Sequence, residues 1–330
     1  MPQNNITLDE IAEFFREKDN FVLICHKRPD GDTLGSALAL RRALEYMDKK
    51  AEIICANTPS PNNEFLFDGE YFPAFDPEDM NGIPVSVDVA SEELLGDLQP
   101  EWGGKIMLKI DHHETSDDFA KLNYTDPTAA ACGEIIFDLV GLLGVPYDVC
   151  AEPLYAAISS DTGGFRYSNT TSRTHRAAAA LLDAGAENAF IDHMLYESRT
   201  QSEIRALTAA YASMRYYLDG RVAMVVITND DKKRLNLREE DLGIISPITR
   251  EISGVIVGIT MKQSRVDPTK FKISVRSEPG FPANELCAAF GGGGHPCAAG
   301  AEIPAANAKV AAALVLKHIT ASGDGLAVTD

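Results

Sequence analysis

No apolar run in this chain approaches the roughly 18 residues that a membrane helix requires. The opening MPQNNITLDE lacks the basic-then-apolar order of a secretory leader. A soluble cytoplasmic protein with no membrane partner is the expectation. No two of the six cysteines (Cys25, Cys55, Cys132, Cys150, Cys287, Cys297) form a C-x-x-C pair, and most lie inside apolar segments, which argues against both a zinc knuckle and a disulfide framework. Positive charge is scarce: 30 Lys and Arg face 49 Asp and Glu, a formal net charge of −19. Long nucleic acid is bound through many Lys and Arg contacts to phosphate, so it is not an expected partner, and a polyanionic substrate must be short and gripped locally. The same acidity also serves solubility.

What is present is ordinary globular material, 45% hydrophobic and 24% charged over 330 residues, enough for two domains with their own cores. Helical and strand patterns alternate in the first half. A helix start at Thr7 leads to the apolar run Phe21 to Cys25, a polar turn and an apolar-rich helix from about Thr33 to Lys49. Further strands are expected at 51–55, 83–90 and 104–111, then helices near 133–143, 149–159, 172–183 and 188–195. Such alternation implies an α/β fold with a parallel sheet. The stretch 200–217 has helical composition and neither glycine nor proline, so it reads as a connecting helix. Strands near 221–228, 254–262 and 270–277, a helix at 282–290, a glycine run and a last helix from about 305 to 320 make a smaller α/β domain. The expected division is 1–195, a connector at 196–218, and 219–330.

The strongest chemical signal is His26-Lys27-Arg28-Pro29-Asp30-Gly31-Asp32, between a buried strand and a helix. Ligands of open α/β sheets bind beyond the carboxyl ends of the strands, and an imidazole with two carboxylates suits divalent cations. Alone, the stretch has a second, less favoured reading as a solvated turn with an aspartate capping the next helix. The arrangement recurs, however: Asp88 ends VSVD, Asp111-His112-His113 ends KIMLKI, and Asp161 follows LYAAISS ahead of a Thr-Gly-Gly turn. Carboxylates brought together from separate segments repel one another unless a cation joins them, so a dinuclear site is the expectation. Phe290 to His295 carries four glycines, whose bare backbone can surround an anion. It lacks the Gly-Lys-Ser/Thr ending of a P-loop, which excludes an ATPase of that type. Lys27 and Arg28 read either as solvated charges or as attractors of an anionic substrate, and Arg166 either as a phosphate contact or as the partner of an acidic neighbour.

Taken in order, HKRPDGDTLGS, Asp88, DHH at 111–113, SSDTGGF, SVRS and FGGGGHPCAAG resemble the motifs of the DHH phosphoesterases and their associated C-terminal domain, over nearly the whole chain. The resemblance implies a cleft between the two domains and two divalent metal ions, manganese being the expected metal. His26, Asp30 and Asp88 would hold one ion; Asp32, His112 and Asp161 would hold the other, with Asp88 bridging. It implies water attacking phosphorus without a covalent enzyme intermediate, with His113 contacting the substrate phosphate. Arg276, Ser277, His295 and the Gly292, Gly293 and Gly294 backbone would grip phosphate or sugar across the cleft. The chain departs from the family pattern at Ser116, where Asn is expected, and at Ala131-Cys132, where a Ser-Thr pair is expected. Within the family it looks like the nanoRNases, which degrade very short RNAs and dephosphorylate 3'-phosphoadenosine 5'-phosphate. The alternative is a phosphodiesterase for cyclic di-AMP or linear dinucleotides such as pApA. A family II-like pyrophosphatase and a non-catalytic nucleotide sensor rank lower, and a homodimer is compatible with any of these readings.

Overall fold

Four apolar residues in a row, Phe21–Ile24, are buried on both faces and form β1, the pattern of a central parallel strand. The computed structural model describes residues 5–67 and 81–322, and the chain divides into two compact units, 1–198 and 199–330. In the first unit β1 is joined by β2 (Ala51–Ile54), β3 (Ile83–Val87), β4 (Leu108–Asp111) and β5 (Leu122–Thr125). All pair in parallel, in the order β2-β1-β3-β4-β5. The strand order reverses between β1 and β3, so their carboxyl ends open the crevice where such sheets bind ligands.

Among the described residues the α-helices that accompany this sheet are α1 (Leu8–Glu17), α2 (Gly31–Tyr46), α3 (Gln99–Trp102), α4 (Cys132–Leu143), α5 (Ala151–Asp161), α6 (Ser172–Asp183) and α7 (Asn188–Asp192). α1 starts with a capping box, Thr7 and Glu10 each bonding the other's backbone N–H, and buries Ile11 and Phe15. The Phe15 ring meets Phe21 edge-on, with centroids 5.0 Å apart. α2 is buried along most of its length, including Leu34, Leu38, Leu40 and Leu44, each such side chain contributing about 1.5–3 kcal/mol by leaving water. It begins at Gly31, two residues before the sequence pattern suggests, because Asp30 caps it by accepting from the N–H groups of Asp32 and Thr33. That start places Asp32 in the first helical turn rather than in the preceding loop.

The second unit has its own sheet: β6 (Arg215–Tyr217), β7 (Val222–Ile227), β8 (Val257–Gln263), β9 (Lys270–Ser277), β10 (Gly293–His295) and β11 (Ala298–Pro304). Their order is β10-β11-β9-β8-β7-β6, antiparallel except between β7 and β8. The helices here are α8 (Gln201–Ser213), α9 (Asn229–Arg234), α10 (Ala283–Ala288) and α11 (Ala308–Ser322). α8 packs Ala206 and Ala210 against Ala223 and Val225. Among the described residues no helix is long and apolar enough to cross a membrane.

The sequence pattern gives no sign of α3, α9 or β11, and three further stretches also differ from expectation. β5 gives no apolar run because LNYT carries Asn123, which is buried with its amide bonded to Ala120. The helix expected across 200–217 stops at Ser213, since Arg215–Tyr217 pairs with Met224–Val222 instead, tertiary pairing overriding helical composition. Within the glycine run, Gly293 and Gly294 enter the edge strand β10, while Gly291 and Gly292 precede it. A Cβ on Gly292 would lie 2.1 Å from the Gly300 carbonyl oxygen, so the missing side chain serves close approach of the backbone to β11.

Candidate metal and phosphoester site

Each candidate ligand in the first unit sits where a strand or helix ends. His26 follows β1, and its Nδ1 meets the Lys27 carbonyl at 2.9 Å, which turns Nε2 toward Asp30 Oδ1 at 3.6 Å and Asp88 Oδ2 at 3.7 Å. Burial alone would lower the His26 pKa, but hydrogen bonding and charge from Asp30 raise it to about 9. Asp88 follows β3 with φ of 60°, a left-handed conformation that Asp tolerates better than most side chains, and it is only 2% exposed. Its two oxygens face different neighbours: Oδ2 faces His26, while Oδ1 lies 3.5 Å from His112 Nε2 and 3.6 Å from His113 Nδ1.

Asp32 is fully buried and is held at the start of α4, where Cys132 N–H donates to Oδ2 at 2.7 Å and Gly133 N–H to Oδ1 at 2.9 Å. Ser36 donates to the same carboxylate at 3.0 Å. The residue before α4, Ala131, makes no side-chain cap; Asp32 fills that role from another helix. The backbone does the anchoring, so the missing Ser-Thr pair does not dislodge it. His112 follows β4 with Nδ1 facing the Ala129 carbonyl at 3.3 Å, and its Nε2 lies 3.7 Å from Asp32, 3.5 Å from Asp88 and 3.3 Å from Asp161. Asp161 is the last residue of α5. Its carboxyl, like that of Asp88, is pushed well above the usual range by burial and then by its acidic neighbours.

His113 donates from Nδ1 to Asp111 Oδ1 at 2.8 Å. Burial opposes ionisation of Asp111, but this bond and the charge of His113 hold it at about 2. Lys109, invisible as a site residue because it sits in an otherwise apolar strand, is fully buried. Its Nζ donates to Ser116 Oγ at 2.6 Å and to the Asp117 carbonyl at 2.7 Å, pinning the loop after the histidines. A lysine in KIMLKID was the available signal.

Ligand atoms in three groups lie within 4.8 Å of one another: His26, Asp30 and Asp88; Asp32, His112 and Asp161; and Asp88, His112 and His113. All six residues expected to bind metal are brought together. The chemistry of this set fits divalent cations. Asp88 Oδ1 and His112 Nε2 are buried with no hydrogen-bond partner, an expensive state for polar atoms, and the mutual repulsion of the carboxylates calls for positive charge. Mixed imidazole and carboxylate donors suit hard or borderline ions.

Arg166 is exposed, bonds the Gly163 carbonyl through Nε, and lies over the Tyr196 ring at 5.4 Å. In the second unit Arg276 and Ser277 end β9. Arg276 donates to its neighbour's carbonyl at 3.1 Å, and Ser277 is 1% exposed with its hydroxyl donating to the Phe281 carbonyl at 2.7 Å. Gly293, Gly294 and His295 pair in register with Gly300, Ala299 and Ala298, and Gly292 precedes them.

Residues 20–158 match the DHH family N-terminal domain and residues 209–321 the DHHA1 domain. A bifunctional oligoribonuclease and PAP phosphatase from Thermus thermophilus is 30% identical over 295 residues, covering 89% of this chain and 87% of that protein. An exopolyphosphatase-related protein from Bacteroides fragilis superposes with a TM-score of 0.86 at 23% identity, covering 96% and 95% of the two chains. A structure of the exonuclease RecJ bound to manganese gives a TM-score of 0.55 at 15% identity, covering 97% and 96%. The parallel sheet with its rim of imidazoles and carboxylates, together with these relatives, defines a hydrolase of the phosphoesterase class. The chain belongs to the DHH family, with that family's N-terminal domain followed by DHHA1.

Proposed function

We propose that this enzyme hydrolyses phosphoester bonds of short nucleotides, degrading RNAs a few nucleotides long and removing a phosphate from 3'-phosphoadenosine 5'-phosphate. One observation carries the reading: Asp88 turns its two oxygens toward two separate His/Asp groups, as a carboxylate shared by two cations would. His26, Asp30 and Asp88 would hold one ion and Asp32, His112 and Asp161 the other, Mn²⁺ being the metal proposed. Two such ions supply an activated water and charge neutralisation at phosphorus. The chain's own contribution is to hold these side chains in place without covalent participation. His113, oriented by Asp111, supports a contact to the phosphoryl oxygen or the leaving oxygen.

We assign substrate grip to Arg166 and, in the second domain, to Arg276, Ser277, the backbone of Gly292, Gly293 and Gly294, and His295. Ser277 enters through its place at the end of β9, its hydroxyl being bonded to Phe281. The net charge of −19 favours short substrates over long polymers. Six cysteines without disulfides are compatible with a reducing cytoplasm, and a homodimer is the assembly proposed.

The test is hydrolysis by the purified Mn²⁺-loaded chain of a parallel panel: 3'-phosphoadenosine 5'-phosphate, RNA of two to five and of twenty nucleotides, cyclic di-AMP, pApA and pyrophosphate. Asp88→Ala is run beside it. Preference for the first substrate and the shortest RNAs supports the proposal. Preference for cyclic di-AMP or pApA would move the enzyme to signalling-nucleotide turnover. Absence of any metal-dependent cleavage would refute the proposal.

A further inference from the structure

We propose that Asn169 is a positioning residue for the cation position formed by Asp32, His112 and Asp161, acting through the backbone turn 129–133. This rests on the reading that those three side chains hold a divalent ion. The turn is a hub. Its Ala129 carbonyl orients His112, and its Cys132 and Gly133 N–H groups grip both oxygens of Asp32. Two of the three ligands are thus referenced to one short stretch of backbone.

Asp161 has no such direct tie to the turn; Asn169 supplies it. Its Nδ2 donates to the Ala130 carbonyl at 2.9 Å and to the Asp161 carbonyl at 3.1 Å. An amide nitrogen carries two hydrogens, and here each serves one acceptor. Both partners are carbonyl oxygens, so only the nitrogen end of the side chain can face them. The Asp161 carbonyl lies in the last turn of α5, where the helix offers no N–H of its own.

The turn also needs outside support. Ala131 at the head of α4 has no hydroxyl to cap the helix, where the family pattern has a Ser-Thr pair. The residue before it is instead held at both its backbone groups, with Ala130 N–H donating to Glu134 at 3.3 Å and the Ala130 carbonyl accepting from Asn169. Asn169 therefore sets the spacing between the α5 carboxylate and the other two ligands, without touching the ion. Loss of a group that orients a metal ligand typically weakens metal affinity about 10–100-fold.

The experiment is calorimetric Mn²⁺ titration of the metal-free full-length chain, with thermal melts, for the wild type, Asn169→Ala and Asn169→Asp. The side chain is exposed, so both variants should fold, and the Asp variant keeps the shape while losing both donors. Expected are two binding events in the wild type. In both variants one event is unchanged and the other is weakened about 10–100-fold, at similar metal-free melting temperatures. Wild-type affinity for both ions in the variants would overturn the proposal, as would equal weakening of both events accompanied by a lower metal-free melting temperature. An Asp161→Ala control that titrates like the wild type would overturn the cation reading itself, and the proposal with it.

Discussion

Asp88 is the residue on which the most opposing forces meet. Buried and surrounded by Asp32, Asp30, Asp161 and Asp111, its carboxyl is held well above the usual range, so in the metal-free protein it is a source of strain. Replacing Asp88 with Asn should raise the metal-free melting temperature, by roughly 2–4 °C for each kcal/mol relieved. With Mn²⁺ the order should reverse, because the wild type gains binding energy that the variant has lost. Paired melts with chelator and with Mn²⁺ check this, and a variant less stable in both conditions would contradict it. His113 makes a different prediction. If it contacts the substrate, His113→Ala lowers kcat by roughly 10²–10³ with metal content unchanged. Metal analysis beside steady-state kinetics decides, and loss of an ion would instead make His113 a ligand.

At the level of elements, the site depends on how closely α2 and α5 approach, since α2 presents Asp30 and Asp32 and α5 ends in Asp161. The contact is made possible by Gly35: a Cβ there would stand 2.4 Å from the Pro153 carbonyl oxygen and 3.0 Å from the Ala157 Cβ. The obstructing atom is backbone and has nowhere to go. Gly35→Ala should therefore destabilise by about 1–3 kcal/mol, as overpacking does, and weaken metal binding by moving the two helix ends apart. A urea midpoint unchanged from wild type would show that the helices yield freely. The same elements show what could be read beforehand. β1 was legible as a continuous apolar run, and β3 and β4 as mostly apolar stretches interrupted by Ser86 and Lys109. β5 and β6 were not, because LNYT and RYY carry no apolar run and each is held by its partner strand.

Across the whole molecule, two units with separate sheets and separate cores carry very different chemistry. Among the described residues every candidate metal ligand belongs to the first unit, so Mn²⁺ should act on that unit alone. Calorimetric melts are expected to show two transitions, one rising in Mn²⁺ and falling in chelator, the other indifferent to both. A single transition that shifts as a whole would mean that the units unfold together. The His and Asp residues that come together here stood out in the sequence by type and by their place after strands and helices, while their division into two candidate ligand sets came from the family resemblance.

What the sequence determined by itself was which side chains could hold cations and that the folds are α/β. Those follow from residue identity and local period, which need no neighbours. Only tertiary structure decided that Asp32 is held by the backbone of α4, that Asp111 orients His113, that Asn169 joins Asp161 to the turn at 129–133, and that Gly293 and Gly294 enter a strand edge. Each of these rests on backbone groups or side chains brought together from distant parts of the chain. Hydrogen bonds are made at 3 Å in space, and nothing in the local sequence records which distant carbonyl or N–H will arrive there.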